Sequence, residues 1–375
     1  MSRLFVCPLL CLVCLVGVPS WALAQEPAEE DLSSDSASEL TVTGFVEAFY
    51  AYDFADPDNN QRPNFVYQHG RHNEFSINLA LIHAGWERDR VRANIGLMAG
   101  SFPQRNQIQE QTLFQFLYDA NVGVKLAEGL WVDAGLFPSH IGFESALSIQ
   151  NPTLTRSMAA ELTPYYLSGV RLTWEINDQF TFTGVVSNGW QNIRETPLND
   201  NKALGTQLVY TPTEGLLLNW STWWSDETRN DLDGDGNRLF SDFFVQLARG
   251  PLTFIVGLDV GTQQRNLALD DDDGWAHWYA ASVLGRYELT PVFALNARAE
   301  YFSDNDAVIA DFNQGPGPGN DFESNALLGL SLGLDVTIVE QVMWRLEGRA
   351  FLGDEDYFDD QQNNVAVTTS LAASF

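Results

Sequence analysis

The stretch "LTFIVGLDV", residues 252–260, decides the fold. Leu252, Phe254, Val256, Leu258 and Val260 make one wholly apolar parity, while Thr253, Gly257 and Asp259 fall, with Ile255, on the other. A period of two marks a β-strand with two unlike faces. Residues 326–336 repeat it, with Leu328, Leu330, Leu332, Leu334 and Val336 set against Gly329, Ser331, Gly333 and Asp335. A large apolar face opposed by small and polar residues is inverted relative to a soluble protein. It suits a barrel that turns its greasy side to lipid and wets its interior.

Outward from that segment, about sixteen alternating runs follow one another, starting near Leu40, Phe75, Val91, Phe116, Leu130, Tyr166, Phe180, Ala203, Leu216, Phe240, Leu252, Trp278, Phe293, Ala326, Met343 and Val365. Each has the roughly 9–11 residues that a tilted strand needs to cross a bilayer. Short polar turns fall at 87–90, 127–129, 177–178, 211–215, 250–251, 289–291 and 340–341, and longer connections at 54–73, 101–112, 139–164, 189–202, 226–238, 262–274, 303–324 and 353–363. Long and short alternate strictly. Outer-membrane barrels do this, because their periplasmic turns are short and their extracellular loops long. The predicted fold is all-β: a transmembrane antiparallel up-and-down β-barrel of about sixteen strands over residues 40–375, with both termini on the short-turn side. A soluble all-β protein is the competing architecture. Closure also removes strand edges that hydrocarbon could not hydrate. Aromatics at the run ends, among them Tyr50, Trp190, Trp223, Trp224, Phe244, Phe302, Trp174, Tyr287 and Trp344, are expected in two interfacial girdles.

The first residues read as a secretory signal peptide, 1–24: Arg3, an apolar run from Leu4 to Val18, and the small-residue site Ala22-Leu23-Ala24. Cys7, Cys11 and Cys14 all lie in this leader, so the exported chain has no thiol for a disulfide or a thiolate metal site. Residues 25–39 read as an acidic linker. The whole chain carries 50 acidic against 20 basic residues, a net charge of −30, and loss of the leader, with Arg3 and no acid, makes it one unit more negative. Such a charge excludes nucleic acid as a partner. With 45 % hydrophobic and 12 % aromatic residues the chain is too apolar to be a disordered acidic protein.

The chain ends on one more alternating run, Val365, Val367, Thr369, Leu371, Ala373 and Phe375. This resembles the C-terminal strand of Gram-negative outer-membrane proteins, in which the last aromatic is a signal to the barrel-assembly machinery. From Leu40 to Phe375 the pattern resembles bacterial porins, specifically the OmpL-like barrel porins. The resemblance implies an outer-membrane location, contact with lipid and lipopolysaccharide, sixteen strands and, as in many porins, a homotrimer. It also implies a third long loop folded into the lumen as a constriction. Here that loop, 139–164, is the longest, and its opening "FPSHIGFES" (137–145) is similar to the Gly-Phe-Glu start of porin constriction loops. Glu144, Arg156 and Glu161 are the constriction residues it implies; an ordinary extracellular loop is the alternative. The implied function is passive diffusion of ions and small hydrophilic solutes, against a closed barrel acting as an adhesin, receptor or structural surface protein.

An Arg or Lys facing lipid at mid-bilayer costs about 2–4 kcal/mol, so charged strand residues should point inward. Parity agrees for Arg171, Arg298, Arg345, Arg349, Glu47, Asp133, Asp259, Glu300 and Glu347, the expected pore wall. Either a basic wall faces an acidic loop and sets a transverse field, or the pairs Arg298/Glu300 and Arg345/Glu347 neutralise each other. No cofactor is required, but "DLDGDGNRLFSD" (231–242) sets Asp231, Asp233 and Asp235 at alternate positions with Gly236 sixth, as in a calcium loop. Asp242 stands in the twelfth place, where a bidentate Glu is expected. The five histidines are scattered and expected at the surface or membrane interface. No Gly-x-Ser-x-Gly elbow is present, so an enzyme is not expected.

Overall fold

In the computed structural model the alternating runs become sixteen strands, each starting within three residues of its predicted position. The structure describes residues 39–196, 199–228, 236–264, 274–310, 312, 325–358 and 361–375. The strands are β1 (Glu39–Asp53), β2 (Phe75–Arg88), β3 (Val91–Ala99), β4 (Leu117–Ala127), β5 (Leu130–Pro138), β6 (Tyr166–Asn177), β7 (Phe180–Ser187) and β8 (Ala203–Thr213). They continue as β9 (Leu216–Asp226), β10 (Asn237–Arg249), β11 (Leu252–Gln264), β12 (Trp275–Glu288), β13 (Phe293–Ser303), β14 (Ala326–Val339), β15 (Val342–Gly353) and β16 (Asn363–Ser374). Each pairs antiparallel with its sequence neighbours, and β16 returns to β1 to close the barrel. The proposed leader and linker lie outside the described residues, except for the linker's last residue, Glu39, which opens β1.

The parity argument holds side chain by side chain. On β11, Phe254, Val256, Leu258 and Val260 are exposed on the outside, whereas Ile255, Gly257, Asp259 and Gly261 are buried. On β14, Leu328, Leu330 and Leu332 face out, with Gly329 and Ser331 turned in. Outward leucines would oppose folding in water and favour it in acyl chains. The girdle expectation needs a correction. Trp174, Trp224, Tyr287 and Phe293 are exposed, but Trp223, Phe244 and Phe302 are buried and face inward. In adjacent aromatic pairs such as Trp223-Trp224 a strand can send only one ring to lipid.

The seam between first and last strands is an antiparallel ladder from Phe45 opposite Ser374 to Asp53 opposite Ala366, extended at its end by two backbone bonds, from Gly44 N–H to the Phe375 carbonyl (2.6 Å) and from Phe375 N–H to the Gly44 carbonyl (3.0 Å). The Phe375 ring lies over Gly44, in space that a β-carbon would fill. A terminal aromatic thus needs a glycine opposite it. Gly44→Val is expected to displace the ring and lower barrel stability by about 1–3 kcal/mol. A thermal melt followed by circular dichroism checks this; an unchanged midpoint would mean that the ring has no fixed seat.

The interior is not an empty tube. Segments of the long connections turn inward and pack apolar residues against the upper wall: Phe65 and Val66 of the first, Ile141, Met158 and Leu162 of the third, and Phe312, Tyr357 and Phe358 of the last two. Two short helices, α1 (Ser101–Asn106) and α2 (Met158–Glu161), belong to these inward segments. Phe102 and Ala146 join a second cluster on the inner face of β1–β3, with Phe45, Leu79, Leu81 and Met98.

Candidate functional site

The third long loop, 139–165, leaves β5 and returns to β6 through a narrow neck, where Ser139 N–H donates to the Tyr165 carbonyl at 3.0 Å. Between these ends it crosses the lumen. Near the start, the His140 carbonyl accepts from Gln207 on β8 and Ser221 on β9, and Gly142 N–H donates to Asp242 on β10 (3.2 Å). Farther on, Ser148 donates its hydroxyl to Glu47 of β1 at 2.6 Å, and Arg345 of β15 donates to the carbonyls of Ser148, Pro152 and Thr153. Then Arg298 of β13 donates to the Thr155 carbonyl (2.5 Å) and hydroxyl (2.9 Å). The Thr155 backbone and hydroxyl in turn donate to Glu347, and Met158 N–H donates to Glu300. A loop otherwise unable to satisfy its backbone away from water has it satisfied by charged wall residues.

Among the residues expected in the pore wall, Arg298, Arg349, Glu300 and Glu347 form one buried network on β13 and β15, and Arg345 forms a second with Asp335 of β14 and the half-buried Arg286 of β12. Arg298 meets Glu300 (2.9 Å) and Glu347 (3.2 Å), Arg349 meets Glu300 (2.6 Å), and Asp335 joins Arg345 (2.8 Å) to Arg286 (3.0 Å). Of the two expected neutralising pairs, Arg298/Glu300 forms, whereas Arg345 takes Asp335, its direct cross-strand partner, instead of Glu347. Asp133 sits apart on β5, between Arg92 (2.5 Å) and Arg171 (3.4 Å). Asp259 of β11 lies directly opposite Asp242 of β10, and the two carboxyl groups are within hydrogen-bonding reach.

The acidic groups of the loop do not pair with the wall arginines. Glu144 is held by the backbone and hydroxyl of Ser157, closing the loop on itself. Glu161 accepts from Tyr165 and from the amides of Tyr67 and Gln68, joining the third loop to the first. Burial pushes both carboxyls up from their ordinary value, against the pull of Arg298 and Arg156 on Glu144 and of Arg156 on Glu161. Arg156 lies 3.6 Å over the Tyr165 ring and donates one N–H to the Ala160 carbonyl. No ion pair joins Glu144 or Glu161 to a wall arginine among the described residues, so the wall arginines are neutralised within the wall.

The first long loop was missed as a site element. Arg62, His69 and His72 are almost wholly buried, which corrects the surface expectation for these two histidines, whereas His277 is exposed as expected. His69 contacts Glu47 at 3.1 Å and its backbone donates to Asn78, while His72 Nδ1 accepts from the Asp53 backbone. Burial lowers the Arg62 guanidinium to about 10, despite Asp53 at 3.9 Å. His140 is likewise buried, and its imidazole is pushed down to about 4. The only sequence signal was the density of polar residues, Gln61, Arg62, Gln68, His69 and His72, in a loop too apolar at Phe65-Val66 to stay hydrated.

Asp231, Asp233 and Asp235 lie outside the described residues. Strand β10 begins at Asn237, so alternation turns Asp242 into the lumen, where it accepts from Asn219 (2.9 Å) and Gly142.

A closed sixteen-stranded antiparallel barrel, apolar outside and polar inside, with a long loop bound across its lumen, is the architecture of an outer-membrane porin. Residues 39–375 match the family described as "Putative beta-barrel porin-2, OmpL-like", and the chain belongs to that family. Similar solved structures include the outer membrane channel DcaP of Acinetobacter baumannii, with 12 % identity and a TM-score of 0.62 over 91 % of this chain and 99 % of that one. An anion-selective porin from Comamonas acidovorans shares 9 % identity with a TM-score of 0.60, over 90 % of this chain and 100 % of that one. The trimer form of OmpT from Vibrio cholerae gives the same identity, TM-score and coverage. At these identities the likeness is one of fold. No curated protein matches the chain.

Proposed function

We propose that this outer-membrane barrel is a passive diffusion channel for ions and small hydrophilic solutes, throttled by the third loop. The observation that carries this reading is the tethering of that loop inside a closed barrel by Arg298, Arg345, Glu300 and Glu347. A closed surface protein has no need of a charged inner wall that fixes one loop at a set depth. The chain is exported through its leader, inserted by the barrel-assembly machinery, bounded by lipopolysaccharide and not an enzyme; a homotrimer is supported by the trimer form of OmpT. Because the wall arginines are matched by wall carboxylates, the acidic excess of the whole chain leaves a mild preference for cations. Purified protein in planar bilayers is expected to give discrete conductance steps and, across a potassium chloride gradient, a reversal potential of cationic sign. Folded protein that conducts nothing would remove the channel reading.

A further inference from the structure

Between the third loop and the inner faces of β3–β6 lies a cavity of about 240 Å³. Four of its polar side chains, Arg156, Glu144, Gln107 and Asn106, carry buried atoms with no partner in the protein. Arg156 donates from Nη2 to Ala160, leaving Nε and Nη1 without a partner in the protein. Glu144 uses Oε2 on Ser157, and its Oε1 is free. Gln107 donates from Nε2 to the Leu117 carbonyl, and its Oε1 is free. Both amide atoms of Asn106 are free, although the residue is 5 % exposed. An unpaired buried polar atom costs about 1–3 kcal/mol, which a fold does not ordinarily tolerate six times around one space.

The free atoms comprise three donors, Arg156 Nε and Nη1 and Asn106 Nδ2, and three acceptors, Glu144 Oε1, Gln107 Oε1 and Asn106 Oδ1. Donors and acceptors are balanced, and the one cation is offset by the one anion. An anionic guest would meet Glu144 and a cationic one Arg156; a hydroxyl group, which donates and accepts at once, suits all six atoms. The remaining lining includes four aromatic rings, of Phe102, Tyr118, Tyr165 and Tyr166, which offer apolar contact to C–H faces. The volume is below the roughly 300–1,000 Å³ of sites for drug-sized ligands, which limits the guest to a single ring. We propose that this cavity is a binding subsite for a neutral polyhydroxylated solute the size of one sugar ring. As a station on a solute's path it rests on the channel reading.

D-Glucose is the probe and Asn106→Ala the decisive variant, because the Asn106 side chain makes no hydrogen bond within the protein and its loss leaves the fold intact. In planar bilayers glucose is expected to reduce the current saturably, and the variant to raise the half-saturating concentration about ten-fold. A decline merely proportional to glucose, as bulk viscosity gives, overturns the subsite; so does an unchanged half-saturation in the variant, or a saturable effect of acetate with none of glucose. If the folded wild-type protein carries no current, the channel reading falls alone, and calorimetry in detergent micelles then decides. Heat of glucose binding that Asn106→Ala abolishes supports the subsite, and its absence from the wild type overturns it.

Discussion

Excision of residues 140–164, with a short Gly-Ser link between Ser139 and Tyr165, is expected to yield a folded barrel that conducts roughly five-fold more, since sixteen strands enclose an aqueous channel wherever no loop fills it and the third loop is the one bound across the lumen. The join is geometrically free, because Ser139 and Tyr165 already share a backbone hydrogen bond at the neck. Every strand pairing survives, as no residue of the excised segment belongs to a strand. What is lost is the burial of Leu154, Met158 and Leu162, together with the bonds that Arg298, Arg345 and Glu347 make to the loop. Those wall charges become hydrated, not stranded, so the penalty of unpaired buried ions does not apply. The melting temperature should fall moderately while the conductance step rises. A folded excision variant with wild-type conductance would show that the third loop is not the throttle.

The barrel itself was legible because its signals are local. Parity along residues 252–260 needs no knowledge of the rest of the chain, and the alternation of long and short connections needs only counting. The tethers were illegible for the opposite reason: Arg298 and Thr155 are 143 residues apart and meet only once the barrel is closed. The error at Arg345 has the same root. Residues two apart on one strand share a face, which made Glu347 the natural partner, yet the directly opposed residue is nearer, and that residue, Asp335, lies on β14. Register decides such pairs, and register is set by turns and bulges that the sequence marks only faintly. The inward first loop was hidden likewise, because His69 finds Glu47 and Asn78 only after β1 and β2 have paired.

Arg298→Ala should have the largest effect of any single substitution. The guanidinium makes five hydrogen bonds, to Glu300, to Glu347, to the Thr153 hydroxyl, and to the carbonyl and hydroxyl of Thr155. Without it, Arg349 is the one arginine left in an ion pair with Glu300, Glu347 keeps only the longer-range pull of Arg349 and Arg62, and breaking a buried ion pair from one side costs about 3–5 kcal/mol. The molecule can escape that cost only by letting water reach the two carboxylates, and water enters where the loop is held, at Thr153–Thr155. The expected result is therefore coupled: a lower melting midpoint, noisier open-channel current as the loop comes loose from β13–β15, and a reversal potential displaced toward that of potassium by two exposed carboxylates. Arg298→Lys separates charge from geometry. It retains the positive charge, so selectivity should stay near wild type, but a lysine cannot reproduce the planar fork that spans Glu300 and Thr155, so the current noise should remain high. If Arg298→Ala left both the noise and the reversal potential unchanged, the wall arginines would be structural bystanders, and control of the pore would have to lie elsewhere in the loop.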